Sequence, residues 1–125
     1  MKLYGYLITL SSIVLLSFTK QHNAIHKRWK LVAEEISHLN FDYTKQEGSR
    51  DRLDSIKNET VQFLPDGSFK SGDGDGTYIV TKDSIHVNLN GKKRTFKYTL
   101  HHSKLVLETY IKDSRRIVRS RLYLE

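Results

Sequence analysis

This chain contains no cysteine. Disulfides, thiolate metal sites, a cysteine nucleophile and a lipidated N-terminal thiol are thereby excluded. Export without cysteine suits a bacterial cell envelope better than an animal secretory route, and such a domain has only its apolar core to hold it. Catalytic signatures are also missing. No serine sits in a Gly-x-Ser-x-Gly elbow, and no glycine-rich stretch leads into a helix carrying a Lys-Ser/Thr pair to cradle phosphate. The histidines His22, His26, His38, His86, His101 and His102 show no zinc-site spacing. His101 and His102 are neighbours in a turn and are expected to point apart. There are no internal repeats, and from Val61 onwards no segment is long or helical enough to be read as anything but strand.

What the chain has instead is a series of short alternating segments from Val61 to Glu125, cut by turn residues. Asn90-Gly91 is the strongest hairpin signal, because both central residues of a type I′ turn need positive φ. It pairs Leu89 with Lys92, Val87 with Arg94 and Ile85 with Phe96. Ile85, Val87, Leu89, Phe96, Tyr98 and Leu100 then share one face. A turn over His101 to Lys104, with Leu100 opposite Leu105, adds Leu105, Leu107, Thr109 and Ile111 and leaves Glu108 and Tyr110 outside. The turn Lys112-Asp113-Ser114-Arg115 sets Ile111 against Arg116. That puts Val118, Ser120, Leu122 and Leu124 inside, with Arg119 and Arg121 outside. A turn at Lys82-Asp83 brings Tyr78 and Val80 to the inner face. Leu64-Pro65-Asp66-Gly67-Ser68 reads as a type I turn with glycine in the left-handed position, setting Phe63 against Phe69. These independent hairpins agree on one apolar face.

An earlier strand, Arg28 to Glu35, alternates Trp29, Leu31 and Ala33 with Lys30, Val32 and Glu34. It closes the meander into an all-β fold, a small antiparallel up-and-down barrel of about eight strands. Between them, residues 37–58 lose periodicity. Arg50 to Lys57 reads either as about two turns of helix presenting Leu53 and Ile56 or as an irregular loop, and the whole connection as a lid or rim over one barrel end.

Lys2 followed by the apolar run Leu7 to Leu16 has the layout of a secretory signal peptide, shorter than the roughly 20 residues of a spanning helix. Residues 1–24 are read as signal peptide and 25–125 as barrel domain, with a cut near Ser17 or Ala24. An uncleaved anchor is the alternative and the only route to a membrane. The protein is accordingly expected to be exported, periplasmic or secreted. Its formal net charge of +7 stays positive after loss of Lys2 and Lys20. Lys92-Lys93-Arg94, Arg115-Arg116, Arg119 and Arg121, with outward Tyr110 and Tyr123, could make a nucleic-acid surface. Export and the interspersed Glu108, Asp113 and Glu125 argue against nucleic acid and for attraction to an anionic cell surface. Gly72-Asp73-Gly74-Asp75-Gly76 resembles the start of a calcium loop, but Ser84 stands where the bidentate glutamate is needed. A hairpin loop is expected there, with no metal and no cofactor.

Trp29-Lys30-Leu31, Phe63-Leu64-Pro65-Asp66-Gly67-Ser68-Phe69, Gly76-Thr77-Tyr78 and the hairpins ending in Leu105-Val106-Leu107 together resemble the small lipocalin-like domains of exported bacterial proteins, especially those of Bacteroidetes. The resemblance covers most of the mature chain. It implies binding or transport of a small apolar molecule in the lumen, no catalytic residues, and a late arginine, Arg119 or Arg121, over Trp29. The lumen site would comprise Trp29, Phe63, Phe69, Tyr78, Val87, Arg94, Phe96, Tyr98, Leu107 and Arg116. Arg94 and Arg116 would meet an anionic head group, or sit at strand ends and reach water. The first expectation is therefore a non-enzymatic exported protein holding a small hydrophobic or amphipathic ligand. The second is an envelope interaction module with a solid, side-chain-filled barrel that contacts another envelope component through its basic outer face or the 37–58 connection. A hydrolase or isomerase at the barrel mouth stands third.

Overall fold

Residues 24–125 are described by the computed structural model. The expected signal peptide except for its last residue, Ala24, lies outside them, and so does the expected cut near Ser17. Among the described residues no helix is long and apolar enough to cross a membrane. The strands are β1 (Arg28–Leu39), β2 (Arg52–Phe63), β3 (Ser68–Ser71), β4 (Gly74–Val80), β5 (Ser84–Leu89), β6 (Lys92–His101), β7 (Lys104–Lys112) and β8 (Ile117–Leu124). They pair antiparallel in chain order, and β8 returns to β1 to close an eight-stranded barrel.

Local turn chemistry builds most of it. Asn90 and Gly91 take φ of 54° and 79°, as a type I′ turn requires, and Leu89 pairs with Lys92. Gly67 takes φ 88° and Phe63 pairs with Phe69. Gly72-Asp73 forms the tight β3–β4 turn between paired Ser71 and Gly74. Leu100 pairs with Leu105, while the rings of His101 and His102 meet edge to face at 4.1 Å and do not point apart.

Three readings change. Of Arg50 to Lys57 only Arg50 and Asp51 are loop, because β2 begins at Arg52 and runs against β1. Second, Ile111 pairs with Val118, not Arg116, since the Asp113 carboxylate caps the N–H groups of Arg115 and Arg116 in a longer turn. The slip is two residues, so every β8 side chain keeps its expected face. Third, β1 bulges at Val32: Leu31 faces Leu124, yet Ala33 faces Tyr123. On the other side Leu31 faces Glu59 and Ala33 faces Ser55, with Asn58 at φ 63° absorbing the surplus. Ala33 therefore leaves the inner face that Trp29 and Leu31 occupy.

The closed end of the barrel is filled. Ile25, Trp29, Leu31, Phe63, Phe69, Tyr78, Val80, Ile85, Val87, Leu105, Leu107 and Leu124 form one buried cluster. Phe63 lies 5.3 Å from Phe69 and 4.9 Å from Tyr78 between ring centroids. At the other end the ladders thin out. β2 meets β3 only over Val61–Phe63, and β6 meets β7 only up to Lys97 and Glu108. Strands β2, β1, β8 and β7 thus extend past the filled end as a four-stranded sheet.

Candidate functional site

A groove lies on the outer side of β1, β8 and β7 beside the Val32 bulge. It is lined by Val32, Ala33, Leu53, Leu105, Val106, Tyr123 and Leu124, with Glu35, Lys104 and Glu125 also in the lining, and holds about 330 Å³. The lining is predominantly aliphatic. Leu53 contributes while remaining 66% exposed. Ala33, Tyr123 and Val106 are cross-strand neighbours in one row.

The adjacent row is ionic. Leu53, Glu35, Arg121, Glu108 and Lys97 stand directly opposite one another from β2 across to β6. Arg121 Nε donates to Glu108 Oε2 at 2.5 Å and its Nη1 reaches Glu35 Oε1 at 3.4 Å. Tyr123 OH donates to Glu35 at 3.5 Å, and Tyr110 OH to Glu108. Burial pushes the Glu108 carboxyl up, but hydrogen bonds from Tyr110 and Arg121 and the nearby Arg121 and Arg119 charges outweigh it, and the net shift is downward. The bond to Glu108 holds the Arg121 guanidinium above its usual range despite burial. Burial first, then the bond to Glu108, raises the Tyr110 phenol. Glu108 and Arg121 are therefore charged at neutral pH, while the Tyr110 phenol is neutral. Beyond them the loop after β1 laps across the outer face, with Tyr43 against Tyr110 at 5.6 Å and Lys112 over Phe41 at 5.3 Å.

Because the Glu108 carboxyl titrates lower when folded, its contribution is complete above the unfolded value near 4.5 and disappears as pH falls through the folded one. Glu108→Gln is expected to cost about 1 kcal/mol at neutral pH. Urea midpoints of the two proteins should converge as pH drops below the ordinary carboxylate range. A gap that persisted into strong acid would show that the carboxylate charge plays no part.

The residues expected to line the lumen divide into two groups. Trp29, Phe63, Phe69, Tyr78, Val87 and Leu107 are buried and pack on one another; Phe96 and Tyr98 are half-buried against them. Tyr98 turns its hydroxyl to the Lys82 carbonyl at 3.2 Å. Arg94 is exposed and finds no place opposite Ile111, because the β6–β7 ladder has already ended. Arg116 is exposed in the turn beside Asp113, at 3.9 Å. The cation over Trp29 is Lys27, 3.9 Å from the ring, while Arg121 is engaged on the outer face with Glu35 and Glu108.

Sequence reasoning passed over Val32, Ala33, Leu53 and Glu35, whose faces depend on the bulge and on β2 being a strand. It set Glu108 opposite Arg119 through the two-residue slip; the register that would have found the Glu108–Arg121 pair hangs on the Asp113 cap. Among the described residues no three histidine or carboxylate side chains come close enough to share a metal ion. In comparisons with family models, curated proteins and solved structures, the chain matched none.

Proposed function

We propose that this is a non-enzymatic, exported interaction module of the bacterial cell envelope, with its binding surface on the outside of the barrel. One observation carries the reading: the aromatic and aliphatic side chains of the closed end are used up on one another, while an apolar groove stays open on the outer face. The occupant is an aliphatic segment of another envelope protein. An apolar centre inside a polar rim is the anatomy of a protein contact. The rim's acids are already paired, Glu35 and Glu108 with Arg121, and Glu125 with Lys104 at 3.6 Å. The rim therefore does not favour a charged head group. The signal-like Met1 to Phe18 supports the compartment.

A photo-crosslinking residue at Val106 is expected to give one adduct in the native envelope, mapping to an aliphatic stretch and lost with Ala33→Glu. The same probe at Ile79, 68% exposed away from the groove, should not give that adduct. Equal labelling from both positions would end the proposal.

A second reading, the small amphipathic ligand inside the barrel, has its own support. Ile111 points inward by alternation yet is 49% exposed, beyond the point where the β6–β7 ladder stops, and Phe96 before that point is only half-buried. Native mass spectrometry of protein from its own envelope separates the two. A lipid at near-equal stoichiometry, with occupancy reduced by Arg94→Ala, would select the lumen over the groove.

A further inference from the structure

We propose that β2 pairs antiparallel with β2 of a second copy of this chain, about a two-fold axis through Leu53. The inference goes beyond the groove reading and rests on a different feature. β1 covers one edge of β2 from Arg52 to Ser55, but the opposite edge has no strand partner until Val61 meets Ser71. No other backbone group among the described residues bonds to that edge. Arg52, Leu53, Asp54 and Ser55 are all exposed. Beyond Ser55 the register shift and the left-handed Asn58 bend the strand away, so the straight part of the free edge is short.

Symmetry and charge select the register. A two-fold axis normal to a sheet places one residue opposite its own copy, because opposed residues must project to the same face. Centring on Arg52 or Asp54 would oppose like charges. Centring on Ser55 would set Asp54 against Ile56. Centring on Leu53 sets Arg52 against the partner's Asp54 and Asp54 against the partner's Arg52. Within one chain these two already attract across the same face, Arg52 Nε to Asp54 Oδ2 at 2.6 Å. Charged residues on a free edge ordinarily discourage pairing. Here opposite signs, two positions apart, oppose like charges when the axis passes through either of them and pair opposite charges only when it passes through Leu53. Leu53 meets its copy on the outer face, and the apolar wall it forms for the groove continues into the second molecule.

Sedimentation velocity of the mature protein over a concentration series up to about 1 mM tests this. The wild type is expected to form a reversible dimer. Leu53→Lys and Arg52→Asp should each weaken it about tenfold or more, and the double change Arg52→Asp with Asp54→Arg should restore it. All these positions are exposed, and circular dichroism melts should show each variant folded. Val106→Lys, in the groove but away from the edge, should leave the dimer constant unchanged. A monomer throughout, single variants that dimerise normally, a double variant that fails to recover, or loss of the dimer in Val106→Lys would overturn the proposal.

Discussion

Trp29→Ala is expected to remove about 3–5 kcal/mol of stability, a drop in melting midpoint of roughly 15–30 °C. The indole is 1% exposed and heads the fully buried side chains by volume. Its Nε1 donates to the Ile25 carbonyl at 3.0 Å, tying the chain before β1 into the core. Alanine leaves a cavity walled by Phe63, Leu31 and Leu124, neighbours in the same cluster that sit on different strands and collapse only partly. A domain of this size holds only about 5–15 kcal/mol in all. Trp29→Phe keeps most of the volume and forfeits the hydrogen bond, so it should cost about 1–2 kcal/mol. Thermal and urea unfolding of the three proteins checks the order. A Trp29→Ala melt within a few degrees of wild type would mean that the closed end is not the core that holds the barrel. The same result would reopen the lumen as a place for a ligand.

Gly76→Ala is expected to be nearly as damaging, for a backbone reason. Gly76 lies in β4 between Phe69 of β3 and Leu89 of β5. A Cβ there would overlap the Asn88 carbonyl oxygen and stand 3.1 Å from its carbon and 3.2 Å from Leu89 Cα. Those atoms belong to the neighbouring strand and cannot swing aside as a side chain would. The ladder must distort, at about 3 kcal/mol. Gly72→Ala is the control, since nothing lies within 4 Å of a Cβ at that turn. It should stay within about 0.5 kcal/mol of wild type. Equal urea midpoints for the two variants would remove the close-approach account of Gly76.

The hairpins from Phe63 to Leu124 were legible because their information is local. Asn90-Gly91, Asp66-Gly67 and the period-two run from Ile85 to Leu107 state turn type and buried face within a few residues. β2 was not legible, because alternation marks a strand only where one face is buried. Arg52 to Ser55 is exposed on both faces and open along one edge, so nothing selects polar against apolar positions there. Its pairing with β1 defines it as a strand.

Sequence alone thus determined that the chain forms an antiparallel barrel and which residues of β3 to β8 turn inward, since an even slip in register preserves every face. Tertiary structure decided what that barrel presents. The Val32 bulge, an odd step in β1, carried Ala33 and Glu35 to the outer surface beside Tyr123 and Arg121. The Asp113 cap brought Arg121 opposite Glu108. The groove, the ionic row and the free edge of β2 all arise where distant strands meet. Single-residue shifts there change which side chains share a face, and no local pattern encodes them.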